Sequence, residues 1–398
     1  MQNLLKTIQS FQVQSVMQIL PAEIINHIIY FTKNPVIELS LVNKYFNHNV
    51  KRFRIINNYG YPDITDDKLM ELPALETIFI TTECKITDVG IKSLTRVKEL
   101  RLIDDTKITD QGIKNLFNLR YLQLNFNDKI TDQGISGLIN LTCLGLGCND
   151  MITDQCISNL INLTSLSLTC NNTITDRGLS CLTNLTNLEL SSNREITDQG
   201  LSCLTNLTYL GLMRNSLITD QGISKLNKLS TIFLMQNDNI SDRGISELTN
   251  LTRLNLSNNT RITNQGISDL AKLINLDLNN NIVITNQGIP LKTEKLILYQ
   301  NNTITDQGIS NLTNLNDLDL SYNSTITNKG LPINLTRLNL CCNEGIKDIT
   351  ELSNLRYLNL TSNRLITSID GLDKLTTICL DDNYLINDIP SHIEIIKE

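Results

Sequence analysis

The chain has 398 residues, 34 Lys and Arg against 41 Asp and Glu, a net charge of −7, 5 % aromatic residues and no Trp. An acidic balance of this kind argues against nucleic acid as a partner for the bulk of the chain. No stretch approaches the ~20 consecutive apolar residues of a membrane span, and the polar start, Met1 to Ser15, has no apolar run of signal-peptide length, so a cytoplasmic protein with no membrane partner is expected.

In chain order, residues 1–17 read as an N-terminal tail. The next stretch, 18–57, is written in a different style from the rest. Lys6, Lys33, Lys44, Lys51, Arg52 and Arg54 against Glu23 and Glu38 give residues 1–58 a charge of +4, leaving −11 for the remainder. Ile19 to Phe31 has apolar residues at helical spacing, opened by Pro21 at a plausible first helical position. A break at Lys33-Asn34-Pro35 follows, then Val36 to Asn47 is again apolar at helical spacing. Helices of about forty residues in all are near the lower limit for independent stability. They carry more apolar surface than they can bury among themselves, so a partner surface is expected.

This stretch resembles an F-box. The matching residues are Leu20-Pro21-x-Glu23, the aliphatic run Ile24, Ile25, Ile28 and Ile29, and Leu39-x-Leu41-Val42-x-Lys44-x-Phe46. Asn43 stands where that family often has Cys, and Phe46 where it often has Trp. The resemblance implies docking on a Skp-type adaptor through Leu20, Pro21, Ile24, Ile25, Ile28, Leu41, Val42 and Phe46. The alternative reading of the same helices is an end cap for the repeats that follow.

From residue 58 to 385 one sentence recurs. A clear copy is Leu185-Thr186-Asn187-Leu188-Glu189-Leu190-Ser191-Ser192-Asn193, then Ile196-Thr197-Asp198-Gln199-Gly200-Leu201 and Leu204. The closing Asn returns every 22 residues from Asn127 to Asn281, then at spacings of 20 or 22 at Asn301, Asn323, Asn343, Asn363 and Asn383. Asp105 and Glu83 hold the same phase. That makes about fifteen units, with a possible sixteenth ending at Asn58. L-x-x-L-x-L-x-x-N resembles the leucine-rich-repeat signature, which implies an α/β solenoid: a horseshoe or arc with a parallel concave sheet and short outer helices.

The physics of the unit agrees. Its x-L-x-L-x core alternates with period 2, so leucines face one side and the x residues the other. Ile-Thr-Asp-Gln-Gly then starts a helix, where Thr or Asp can accept from an orphan N–H, and Gly, lacking Cβ, allows close packing on a neighbour. One unit buries about seven aliphatic side chains at roughly 1.5–3 kcal/mol each, against about 1–2 kcal/mol of backbone entropy for each of its residues. It must therefore share its core with neighbours. The Asn amide is expected to satisfy turn backbone within a unit and in the next. Fifteen strands at ~4.8 Å give a strand-lined face roughly 70 Å long.

The repeat also explains several apparent motifs. The ten cysteines fall in repeat slots, such as Cys148 with Cys170 and Cys181 with Cys203. They read as thiols in a reducing compartment, with disulfide or metal binding as the alternative. Asn-Leu-Thr sequons recur at Asn140, Asn162, Asn184, Asn206, Asn250, Asn311 and Asn334 because the unit recurs. Towards the end, Gly288-Ile289-Pro290 and Gly330-Leu331-Pro332 put Pro where a helix should continue, so those helices are short or absent. The tail, 386–398, is expected to cap the core with Ile389, Ile393 and Ile396 inward.

Binding is expected at the strand x positions, where the repeat imposes no identity. Tyr209, Met213, Arg214, Phe233 and Met235 form one candidate cluster on adjacent units; Ile297, Tyr299 and Tyr322 form a second. Asp277, Asp317, Asp319, Asp381 and Asp382 favour a protein substrate with a basic segment. Asp319 joins Tyr209, Met213, Arg214, Phe233, Met235, Ile297 and Tyr299 as a substrate-contact candidate. Three histidines, His27, His48 and His392, offer no triad-like arrangement, and no phosphate loop or zinc motif occurs. No enzyme activity, cofactor or metal is called for. An F-box followed by Ile-Thr-Asp-x-Gly repeats resembles the F-box/leucine-rich-repeat substrate receptors of Skp–cullin–F-box ubiquitin ligases, although the ladder residue there is often Cys. The resemblance implies an adaptor and a cullin ligase core as partners. The alternative is a cytosolic binding scaffold whose N-terminal helices only cap the solenoid.

Overall fold

The computed structural model of the protein describes residues 55–57, 64–72, 75–80, 85–103, 107–381, 386 and 389–397. The chain divides into two compact units, Met1–Thr186 and Asn187–Glu398. Both are stacks of the same coil. In the coil that starts at Leu207, the side chains of Leu207, Leu210, Leu212, Ile218, Ile223 and Leu226 are at most 2 % exposed. These six aliphatic slots repeat from coil to coil and form the core of each unit.

In the first unit, strands β1 (Ile55–Asn57), β2 (Thr77–Ile80), β3 (Glu99–Leu102), β4 (Tyr121–Gln123), β5 (Cys143–Gly145) and β6 (Ser165–Ser167) pair in parallel in chain order. In the second, the order is β7 (Asn187–Glu189), β8 (Tyr209–Gly211), β9 (Thr231–Phe233), β10 (Arg253–Asn255), β11 (Asn275–Asp277), β12 (Lys295–Ile297), β13 (Asp317–Asp319), β14 (Arg337–Asn339), β15 (Tyr357–Asn359), β16 (Thr377–Leu380) and β17 (Glu394–Lys397), again all parallel. Like positions face one another at every step, as in Tyr209↔Thr231 and Arg253↔Asn275.

Three devices tie coil to coil, and each explains a fixed letter of the repeat. The first is the Asn ladder. Asn149 accepts from the N–H of Met151 (3.0 Å) and Ile152 (3.3 Å) and donates to the carbonyls of Asn127 (2.7 Å) and Leu124 (3.1 Å). Its reach is therefore to its own turn and to the preceding coil, not the following one as the sequence suggested. The side chain is buried, and without these four bonds the turn would strand polar backbone in the core.

The second device stands one residue earlier. Phe126, Cys148 and Cys170 in the first unit adopt φ of 57°, 51° and 54°, and Arg214, Gln236, Asn258, Asn280, Gln300 and Tyr322 in the second lie between 50° and 54°. This left-handed residue aims its N–H at the next coil: Gln236 N donates to Ser257 O at 3.0 Å and Asn258 N to Asn279 O at 2.9 Å. The sheet ladder thus extends past the strands, at a cost of about 1–2 kcal/mol per non-glycine residue so placed.

The third device is the Thr-Asp-x-Gly phrase. Thr175 caps its own helical turn, Asp176–Leu179, by accepting from Arg177 N. Its N–H (2.8 Å) and hydroxyl (2.6 Å) donate to the two carboxylate oxygens of Asp154 in the preceding coil. Gly178 lies over that carboxylate, and a Cβ there would come within 2.5 Å of Asp154 Oδ1. Glycine clears the neighbour's Asp without displacing it. Cys156 stands in that slot in one coil, and there Thr153 still donates to both oxygens of Asp132, at 2.9 Å and 2.6 Å. The Cys156 thiol is pushed up to about 12, by burial and then by Asp132.

The proline units behave as expected: Asn286–Gly288 and Asn328–Gly330 are single 3-10 turns. Strand steps of 20 residues across them, Asn275↔Lys295 and Asp317↔Arg337, keep the register. Two expectations are corrected. Ile55–Asn57 is a strand paired with β2, so the sheet extends into the stretch read as helical. The tail continues the sheet as β17, with Ile393 buried but Ile395 and Ile396 44 % and 39 % exposed, because β17 pairs with β16 on one side and all four of its residues face solvent.

Candidate functional site

The expected adaptor contacts Leu20, Pro21, Ile24, Ile25, Ile28, Leu41, Val42 and Phe46 lie outside the described residues. The expected substrate contacts all lie in the second unit, on the outward side of its sheet or in the turns just after the strands. Each strand presents two residues flanking a buried Leu or Ile, and the turn adds a third.

Tyr209 on β8 and Phe233 on β9 meet edge to face, ring centroids 5.5 Å apart. The Tyr209 hydroxyl donates to Glu189 Oε2 at 2.8 Å. Burial, then the Glu189 carboxylate, pushes that hydroxyl well above its usual range. Glu189 reaches Tyr209 across Gly211, where any Cβ would collide with its carboxylate. Met213 and Met235 are half-buried in the turns, and Arg214 is exposed with its Nε on Gln236 Oε1. Further along, Tyr299 and Tyr322 pack at 5.3 Å, the latter 47 % exposed.

The aspartates do something the sequence did not announce. Asp277 accepts from Asn255 Nδ2 (2.8 Å), Ser257 Oγ (2.9 Å) and its own turn at Asn279 N (3.0 Å). Asp319 accepts from Asn339 Nδ2 (3.0 Å), Ser321 N (2.8 Å) and Ser321 Oγ (2.5 Å). Both tie the N–H two residues on, as Asn255 and Asn339 do in their coils. Asp317 is bridged by Lys295 (2.8 Å) and Arg337 (3.7 Å), and Arg337 stacks over Tyr357 at 4.1 Å. Asp381 accepts from Ser362 N at 2.9 Å and Ser362 Oγ at 3.0 Å; Asp382 lies outside the described residues. These four described carboxylates are engaged within the sheet, Asp317 by two cations and the others by neutral donors.

Between the two expected clusters lies a depression of about 280 Å³, lined by Phe233, Arg253, Asn255, Asn275, Asp277, Lys295 and Ile297 over Leu254 and Leu276. Sequence reasoning found its two apolar walls, Phe233 and Ile297, and missed its charged rim. The missed signal was Arg253 and Lys295 in the same x slot as Tyr209.

The first unit has its own face. Arg101 lies between the rings of Phe79 and Tyr121, 4.6 Å from each centroid, and donates to Glu99 Oε1 at 2.7 Å and 3.0 Å. Beyond it the slots become small: Cys143, Gly145, Ser165 and Ser167. At the turn before each strand, Phe117, Ile139 and Ile161 are 54 %, 57 % and 54 % exposed in three successive coils. The sequon asparagines follow them. Asn140, Asn162 and Asn184 donate to the carbonyls of Phe117, Ile139 and Ile161 at 2.9–3.0 Å, so these amides are structural ties.

Among the described residues no group of three His, Cys, Asp or Glu side chains is disposed to hold a metal, and no helix is long and apolar enough to cross a membrane.

The comparisons agree with the fold. The Leucine Rich repeat family model matches residues 115–139, 159–182, 182–205, 203–226, 247–271 and 311–331. No curated protein matches the chain. Among solved structures, the yeast Rad7 and Elc1 complex contains a chain 18 % identical, with 80 % of this chain and 88 % of that one covered at a TM-score of 0.50. At that identity the likeness is one of fold. An internalin (inlF) from Listeria monocytogenes str. 4b F2365 is 28 % identical over 83 % of this chain and 88 % of that one, at a TM-score of 0.43. The TLR13-ssRNA13 complex contains a chain 23 % identical over 82 % of this chain and 50 % of that one, at 0.46. With its coil geometry, its Asn ladder and the matched segments in view, the chain carries leucine-rich repeats.

Proposed function

We propose that this chain recruits a target protein to a cullin-type ubiquitin ligase. The strand face of the second unit holds the target, and residues 18–57 dock on a Skp-type adaptor. The recognition half is carried by one observation. Aromatic, Met and cationic side chains stand half-buried or exposed on a backbone locked by the coil-to-coil bonds, an arrangement that presents contact area with little ordering cost. The contacts proposed for the target are Tyr209, Met213, Arg214, Phe233, Met235, Ile297, Tyr299 and Asp319. The ligase half rests on the F-box-like sequence. By this reading the chain supplies effective concentration, and other subunits perform the transfer. The yeast fold relative comes from a complex of Rad7 with Elc1, a two-protein assembly of the general kind proposed here.

A second reading has its own observation. β1, Ile55–Asn57, is the first described strand of the sheet, and the residues before it stand in the chain where an end cap would be expected. By that reading the chain is a binding scaffold without a ligase. Co-expression with a Skp-type adaptor separates the two. A stable complex with the wild-type chain, lost on Ile24→Asp and weakened by Pro21→Ala, supports recruitment to the ligase. No complex with the adaptor of its own host leaves the scaffold.

A further inference from the structure

The depression on the second unit's sheet has a chemical bias. Its walls are apolar: Phe233 on β9 and Ile297 on β12, three strands or roughly 14 Å apart. Its floor is closed, because the Asn255 amide and the Asp277 carboxylate bond each other (2.8 Å) and their own turns. Its lower rim is Arg253, Asn275 and Lys295.

The charges on this lining are unequally available. Asp277 is largely buried and accepts three hydrogen bonds. Lys295 shares Asp317 with Arg337. Arg253 is exposed. Among the described residues it has no ion-pair partner within reach; with its amide turned over, Asn275 would present its oxygen to Nε and Nη2 at 3.3 Å each. A guanidinium so held is oriented yet not neutralised, which is the condition for bidentate capture of a carboxylate. The volume, about 280 Å³, lies just below the roughly 300–1,000 Å³ of small-molecule sites. It suits one or two side chains better than a cofactor.

We propose that this depression anchors an acidic segment of a protein partner. A Glu or Asp carboxylate sits on Arg253 with Lys295 as the second cation, and an adjacent apolar side chain lies against Phe233 or Ile297. The inference rests on the reading of this face as a protein-recognition surface and reverses the charge the sequence suggested for the partner.

The test is a selection of a displayed library of random linear peptides on the full-length chain. Enriched peptides carry Asp or Glu next to an aliphatic or aromatic residue. Their affinity falls about tenfold or more on Arg253→Glu, less on Lys295→Met, and also falls on Phe233→Ala. The variants are checked for an unchanged melting temperature; Arg253 is exposed, so its replacement spares the core. Peptides enriched in Lys or Arg overturn the acidic assignment, as do peptides weakened by Phe233→Ala but indifferent to Arg253→Glu. Either result leaves the recognition face standing. Recovery of no peptide, or of peptides indifferent to both variants, overturns the face as well.

Discussion

The Thr-Asp-x-Gly edge and the strand face of a coil are built under opposite rules. On the edge, every fixed letter has a named partner one coil away: Asp154 holds Thr175 through both oxygens, and Gly178 clears the space that carboxylate needs. On the face, Tyr209, Thr231, Arg253, Asn275, Lys295 and Asp317 occupy one slot in six successive coils, and no shared bond dictates their identity. The difference teaches that repetition in this chain marks structural dependence on a neighbour, and variety marks surface available for recognition.

The sharpest way to break that comparison is to truncate an amide of each kind. Asn237→Ala strands buried backbone groups in two coils and should cost roughly 3 kcal/mol by urea denaturation, while Asn255→Ala on the face should cost about 1 kcal/mol or less. Equal losses would mean that the face is bound into the fold no less tightly than the ladder. Next comes Gly178→Ala, which overpacks the edge and should cost about 1–3 kcal/mol. Adding Asp154→Ala removes the obstructing carboxylate, so the double variant should lose less than the two single losses added together. Simple additivity in a thermal melt would refute the contact argument.

Smaller still, Tyr209→Ala and Phe233→Ala should each remove an edge-to-face pair worth about 0.5–1.5 kcal/mol beyond area burial. They should weaken target capture and leave an adaptor complex intact in a pull-down; loss of the adaptor complex would show the two roles misplaced. The smallest effect is a gain. Gln236 holds φ of 53°, in the slot that Asn258 and Asn280 fill in the next coils. Gln236→Asn should raise stability by about 0.5 kcal/mol, since Asn tolerates the left-handed region better. No change, or a loss, would show that the Gln236 side chain contributes more through Arg214 than its backbone costs.

How much of this could be read beforehand depends on where each residue's partner lies. The Leu slots and the effect of Pro290 and Pro332 were legible because the period itself says which residue meets which; the Asn ladder was legible in its place and misread in its direction. The helical phrase was half legible. Thr175 as a cap and Gly178 as a close approach follow from local rules, but the Asp154 carboxylate as the thing approached does not. The face was least legible. Its slots are plain in the sequence, yet Asp277 and Asp319 look like hooks for a basic partner until their bonds to Asn255, Ser257, Asn339 and Ser321 are seen. Arg253 escaped notice for the converse reason, since sequence does not say which charge its neighbours leave unpaired. The F-box-like stretch 18–57 overlaps β1, Ile55–Asn57, at its end.

The 20-residue coils carry a consequence beyond their short outer turns. Two residues vanish at Pro290 and again at Pro332, yet Asn275↔Lys295 and Asp317↔Arg337 align as the 22-residue coils do. Register is thus counted on one side of the stack, and the other side tolerates indels. A gene coding for such a chain can trim or pad the outer turns without garbling the order in which the face displays its side chains. Duplicating a whole coil joins like to like and simply adds one more independently mutable row.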